Sequence, residues 1–203
     1  SSIFISNSCN TMFFDITGAL LSLLSTYYFI RLNNKAWMIG IIATVVNGWL
    51  YWQKGIYADM VLEFFYFLSM IYGLYRWREV KDNRLITLQT LTKNQWSWLC
   101  LVLCLIFVSI YCLLSTLTHS SVAIMDAATT SLSLMAQWLM CHKIIATWVL
   151  WFITDVIYAI MYLNKGLPVH SALMLIYTGM AVTGYFMWAR NNSKHITQIT
   201  ISV

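Results

Sequence analysis

Two carboxylates, Glu63 and Asp155, stand about two turns inside long apolar runs of this sequence. A charged side chain at the centre of a bilayer costs about 2.5–3.5 kcal/mol on insertion scales, so such groups face protein or a water-filled cavity. The polar residues around them fall in lines. Gly40, Thr44, Asn47 and Tyr51 recur at helical spacing, and so do Trp151, Asp155, Tyr158 and Tyr162. Asp59, Glu63 and Tyr66 make a third line, His170, Met174 and Tyr177 a fourth, and Ser22 with Thr26 and Ser133 with Gln137 two shorter ones. Such a lining suits a flat, polar, cationic molecule. Aromatic faces stack on a ring and attract positive charge, carboxylates balance that charge, and amides read hydroxyls or a carboxamide. The hydroxyls of Ser22, Thr44 and Ser133 have the plainer alternative of bonding to their own or a neighbouring helix. Asp15, Asp59, Asp126 and His170 lie near the ends of the runs, where water reaches them.

Other chemistries find no support. His119, His142, His170 and His195 show no metal-ligand spacing, and Cys9, Cys100, Cys104, Cys112 and Cys141 form no CxxC pair. There is no Gly-rich phosphate loop and no nucleophile beside a base. The expectation is a protein with no cofactor, no metal and no catalytic residues, and so not an enzyme.

What must position these residues follows from composition. Of 203 residues 60% are apolar and only 9% charged, against about a quarter charged in soluble domains, and the mean hydropathy is +0.70. The solvent is therefore a lipid bilayer. In that setting the net charge of +5 concerns orientation and anionic headgroups, and nucleic acid is not an expected partner. A stretch from Ser1 to Asn10 without a basic residue does not read as a cleaved signal peptide.

Apolar runs predict seven spans, at about 12–32, 37–53, 57–76, 95–115, 122–141, 144–164 and 168–189. Lys54-Gly55 and Lys165-Gly166 place glycine where helices end, and Pro168 opens the last. Trp37, Trp77, Trp96, Trp98, Trp148 and Trp188 sit at span ends and read as an aromatic belt at the headgroups. Ten basic residues fall on one side, including Arg31, Lys35, Arg76 and Lys143, against Lys54 and Lys165 on the other. The positive-inside rule then puts the N-terminus outside and the C-terminus in the cytoplasm.

A shift of 111 residues aligns the chain with itself from about residue 12 to 77 without a gap, at about one identity in five. Asp15 falls on Asp126, Trp37 on Trp148, Tyr51 on Tyr162, Tyr66 on Tyr177, Gly73 on Gly184 and Trp77 on Trp188. The fold class expected is an all-α membrane protein of seven transmembrane helices in a 3+1+3 parallel repeat. Its parts within one transmembrane domain, 1–203, are a three-helix repeat at 12–77, a polar linker with connecting helix at 78–121, a second repeat at 122–189 and a tail at 190–203. Two such halves suggest a transporter with a central site to which both contribute.

The segments AWMIGIIATVVNGWLYWQKGIYADMVLEFFYFLSMIYGLYRW, WVLWFITDVIYAIMYLNKGL and GYFMW resemble the PnuC family of bacterial vitamin transporters. The most specific parts are YGLYRW at Tyr72 to Trp77 and the Trp-x-x-Trp-x-x-x-Asp run of Trp148, Trp151 and Asp155. The resemblance implies a fold akin to SWEET sugar transporters and uptake of nicotinamide riboside across the bacterial inner membrane by facilitated diffusion, with trapping by cytoplasmic phosphorylation. Carried over by position, it implies a substrate site of Asn47, Trp49, Glu63, Tyr66, Trp148, Trp151, Asp155 and Tyr158, with Thr44, Tyr51, Gln137, Tyr162 and Tyr177 as further candidates. Carboxylates at Glu63 and Asp155, where amides are expected for nicotinamide riboside, suit any cationic aromatic, so thiamine is the rival cargo. The alternative of another class is a non-transporting subunit of a membrane complex. The partners expected are a small cationic vitamin or nucleoside and the lipid bilayer, and a homo-oligomer is compatible with the sequence.

Overall fold

A computed structural model describes the backbone of residues 2–55, 57–78, 88–117, 123–164 and 168–201, and the side chains of 12–53, 55, 59–78, 88–116, 123–164 and 170–193. The charged linker at 79–87, His119 and Lys165-Gly166 lie outside the described residues, as do the side chains of Cys9, Lys54, Lys194 and His195. The described residues form seven helices: α1 (Ser2–Ile30), α2 (Lys35–Lys54), α3 (Tyr57–Arg78), α4 (Lys93–Leu117), α5 (Ala123–Cys141), α6 (Thr147–Asn164) and α7 (Pro168–Ile201). The first starts about ten residues before its apolar run, and the last continues through the stretch read from sequence as a tail. Four of them contain stretches long and apolar enough to cross a bilayer, Met12–Ile30, Lys93–Thr116, Thr147–Asn164 and His170–Ser193. The composition of α2, α3 and α5 explains why they fall short: Asn47, Asp59, Glu63, Gln137 and a run of hydroxyls at Thr129, Thr130, Ser131 and Ser133 lower their hydropathy.

The chain divides into two compact units, Ser1–Asn83 and Arg84–Val203. In the first, α2 packs against both α1 and α3. Its α1–α2 turn is closed by Leu32 in a left-handed conformation, φ 53°. The Leu32 N–H donates to the Phe29 carbonyl at 3.0 Å and the Asn33 N–H to the Tyr28 carbonyl at 3.0 Å. These two bonds satisfy carbonyls that a helix end otherwise leaves open. At the far end of α2, Gly55 (φ 70°) donates to the Tyr51 and Trp52 carbonyls, a backbone shape that glycine adopts without a Cβ penalty.

The second unit repeats the turn. Lys143 has φ 56°, its N–H donates to the Met140 carbonyl at 3.1 Å, and the Ile144 N–H donates to the Leu139 carbonyl at 3.1 Å. Each of these residues is 111 positions after its counterpart. One element has no counterpart: the Gln89 N–H donates to the Lys143 carbonyl and the Ile145 N–H to the Gln89 carbonyl, both at 3.0 Å, so the segment before α4 is pinned to the α5–α6 turn. From there α4 packs on α5, α5 on α6 and α6 on α7. Leu132, Met135, Ala136, Leu139, Ala146 and Leu150 form the core, with Leu99, Leu103 and Ile106 of α4 against it.

Where α1, α2 and α3 meet, Trp37 packs edge-to-face on Phe29 (centroids 4.6 Å apart) and on Trp77 (5.2 Å). Where α6 meets α7, Trp148 packs edge-to-face on Trp188 at 5.4 Å. The slots that admit these rings are glycines: a Cβ at Gly73 would strike the Trp37 ring, and one at Gly184 the Trp148 ring. All four indoles are at most 2% exposed. The belt expected of them is therefore corrected to a packed clamp in each unit, because bulky rings find more contact in a glycine slot than at a lipid headgroup. Trp96 and Trp98 remain exposed on α4.

The helix pairs α1/α2 and α5/α6 are also tied by one buried hydrogen bond each. The Ser25 hydroxyl donates to the Ala36 carbonyl at 2.9 Å, and the Thr147 hydroxyl donates to the Ala136 carbonyl at 2.7 Å. The shift carries Ser25 onto Ala136 and Ala36 onto Thr147, so the same junction is bridged in opposite directions.

Candidate substrate site

In the first unit the polar line of α2 becomes a network. The Asn47 amide donates to the Ser22 hydroxyl of α1 at 3.3 Å, and its side chain is hydrogen-bonded to Glu63 of α3. Its amide oxygen lies against Gly18, where a Cβ would leave it no room. One amide thus ties three helices, and the absence of a side chain at residue 18 lets it do so. Glu63 is half-buried, its Cβ lies 3.7 Å from where a Cβ on Gly48 would stand, and Asp59 adds a second negative charge one turn before it on α3. Thr44 is buried and donates to the Ile41 carbonyl of its own helix at 2.9 Å. Tyr51 and Tyr66 are half-buried, and Trp49 is 53% exposed.

The second unit uses the same positions otherwise. Asp155, equivalent to Thr44, is 8% exposed and has no hydrogen-bond or ion-pair partner among the described residues. Tyr158 and Tyr162, one and two turns further along α6, share its helix face. Their rings are parallel, 15° between planes and 5.9 Å between centroids. The Tyr162 ring then meets His170 of α7 at 5.5 Å. Trp151 packs toward α5 against the core, Gln137 is buried on α5 at 4% exposure, and Tyr177 is half-buried on α7.

Two groupings of the expected residues come together, Asn47 with Glu63 and Asp155 with Tyr158 and Tyr162. Trp148 is held in the clamp at 1% exposure. Sequence reasoning passed over Gly18 and left His170 out of the substrate site. A glycine in an otherwise apolar run facing Asn47 was the available signal for the first; the second stood in a polar line with Met174 and Tyr177 but was read as a solvated end residue, although its position opposite the Tyr162 end of α6 follows from the short α6–α7 connection.

Chemically, the first unit offers a carboxylate beside an amide, and the second a carboxylate with parallel aromatic faces further along its helix. The lysines and arginines of the described helices lie near helix ends or, as Arg190, beyond the apolar run of α7, and none lies within two turns of Glu63 or Asp155 along the sequence. A cation with a flat ring fits that inventory, whereas a phosphate would meet negative charge with no basic group to hold it.

The chain has relatives among known proteins. The chain is 28% identical over 201 residues to the nicotinamide riboside transporter PnuC of Escherichia coli (strain K12), covering 84% of this chain and 78% of that one. It is equally similar to the protein of the same name in Shigella flexneri, with the same coverage. Its fold matches the crystal structure of the vitamin B3 transporter PnuC with a TM-score of 0.75 at 19% identity, over 96% of this chain and 87% of that one. A family described as nicotinamide mononucleotide transporter matches residues 12–190, and with nearly its whole length inside that match, the chain belongs to this family of membrane transporters.

Proposed function

We propose that the chain carries nicotinamide riboside into the bacterial cytoplasm across the inner membrane, as an uncoupled facilitator whose two halves alternate access to one site. The observation that carries the choice of cargo is the pairing of two acids inside the helices, Asp155 buried and Glu63 half-buried, with no lysine or arginine within two turns of either along the sequence. Riboside and mononucleotide share the cationic nicotinamide ring and differ by a phosphate. A carboxylate such as Asp155 attracts the ring and repels the phosphate. The Asn47 amide supplies hydrogen-bonding groups for a carboxamide or ribose hydroxyl. The 111-residue repeat supports a 3+1+3 arrangement and a site shared by both halves, and the distribution of basic residues supports an external N-terminus. No lysine or arginine lies within two turns of Glu63 or Asp155 along the sequence to pair with either acid in alternation, and the reading carries no proton coupling.

The test is counterflow in proteoliposomes containing only this protein. Labelled nicotinamide riboside should exchange without any ion gradient, and nicotinamide mononucleotide should not compete. Equal transport of the mononucleotide, accumulation that follows an imposed pH or sodium gradient, or preference for thiamine would each overturn the corresponding part of the proposal.

A further inference from the structure

We propose that Tyr158, Tyr162 and His170 form an outer stacking subsite for a flat aromatic cation, which receives the substrate's ring before it reaches Asp155. The inference rests on the transport reading above and on its orientation, which puts the Asn164 end of α6 at the outer face. Three observations carry it. The rings form a continuous series, with centroids 5.9 Å apart from Tyr158 to Tyr162 and 5.5 Å from Tyr162 to His170. Exposure grades along the series in the order a path needs: Asp155 buried, the two tyrosines half-buried, His170 exposed. At the inner end stands an acid more than nine-tenths buried, with no partner among the described residues.

The geometry of the rings matters as much as their number. The two tyrosine planes differ by only 15°, so a flat ring lying on one is already aligned with the next. Moving inward by one helical turn then requires translation without reorientation. Each π face attracts a cation through its quadrupole, and the attraction grows as water is left behind, which biases the motion toward the acid.

The fold itself does not require these rings. In the first unit the equivalent positions are Asn47, Tyr51 and Asp59, and that unit packs the same turn and the same tryptophan clamp without a ring series. Tyr158 and His170 are thus additions to the shared scaffold, and they complete a series around a tyrosine, Tyr51 or Tyr162, that both units carry.

The test separates capture from central affinity, using nicotinamide riboside as the probe. In cells expressing the full chain, Tyr162→Ala should raise the half-saturating concentration for uptake by about tenfold, the scale of losing one ring from a base-stacking site. The maximal rate at saturation should be unchanged. Calorimetry on the purified variant should give a dissociation constant within about twofold of the parent, since Asp155 and Asn47 are untouched. Tyr162→Phe should restore uptake, and His170→Phe should keep it, because both retain a face. If Tyr162→Ala takes up the riboside as the parent does, or lowers the maximal rate and the half-saturating concentration together, the subsite does not exist. If Tyr162→Phe is as poor as alanine, the hydroxyl matters and the stacking account is wrong. A parent chain that moves no nicotinamide riboside would instead overturn the proposed function.

Discussion

The centres of the two halves hold an acid each, but in different company. Glu63 is hydrogen-bonded to Asn47, which also reaches Ser22 and rests on Gly18, so the first half's acid belongs to a lattice that joins its three helices. Asp155 has the tyrosine faces beyond it on α6 and no hydrogen-bond or ion-pair partner among the described residues. A charge already bonded has part of its interaction spent inside the protein, whereas an unpartnered one gains a full charge-assisted contact when a cation arrives. The difference is one of preorganisation: the first half holds its acid within an amide network, and the second holds a carboxylate without one.

The largest effect that could break this comparison is expected at Asp155. Asp155→Asn preserves shape and removes charge, so calorimetry should show nicotinamide riboside binding weakened by about 1.5–3 kcal/mol, more than tenfold. A neutral competitor of the same outline should lose far less. Unchanged affinity for both would make Asp155 structural and erase the contrast between the halves.

Next come the shared parts. Gly73→Val and Gly184→Val each drive a side chain into a buried indole, and overpacking of this kind costs about 1–3 kcal/mol. The two should cost alike when unfolding is followed in detergent. A large loss for one and none for the other would mean that the two clamps are not equivalent in what they hold.

A smaller effect is expected at Glu63. Glu63→Gln keeps a hydrogen-bonding group opposite Asn47, so affinity should fall by about 1 kcal/mol or less. Combined with Asn47→Ala it should be non-additive, as for any pair within one network. Additive losses would show that the two residues act separately, and a loss at Glu63 exceeding that at Asp155 would invert the assignment.

The smallest effects belong to the helix ties. Ser25→Ala and Thr147→Val each remove one interhelical hydroxyl bond, worth about 0.6 kcal/mol in membrane proteins on average. Thermal unfolding should register small and similar losses, with transport unaffected.

Much of this molecule was legible beforehand because its solvent writes plainly: helices in lipid are long apolar runs, and the break at Gly55 and the start at Pro168 carry their own backbone reasons. The helical lines also brought Asn47 and Asp155 forward, since polar residues at spacings of three and four stand out against an apolar background. The tryptophans were misplaced for a physical reason. Position along a span tells how deep a ring sits and says nothing of whether it faces lipid or protein, and only the glycine one helix away, Gly73 or Gly184, decides that. The same limit hid Gly18, whose importance is the volume it leaves for another residue's amide. The hydrogen bond between Asn47 and Glu63 was beyond reach for a related reason, since it depends on how α2 and α3 are rotated against each other.

The two hydroxyl ties have a bearing on how duplicated proteins diverge. Ser25 reaches across to Ala36, while in the other copy Thr147 reaches back to Ala136. No residue at the junction is shared, yet the bond is. A route from one arrangement to the other runs through a copy carrying both hydroxyls, and along it neither helix ever loses its tie. Substitutions can therefore accumulate at such a junction in either order at little cost, and comparison residue by residue would score the place as unrelated. What the two units have in common here is an interaction, carried by whichever side of the interface supplies the proton.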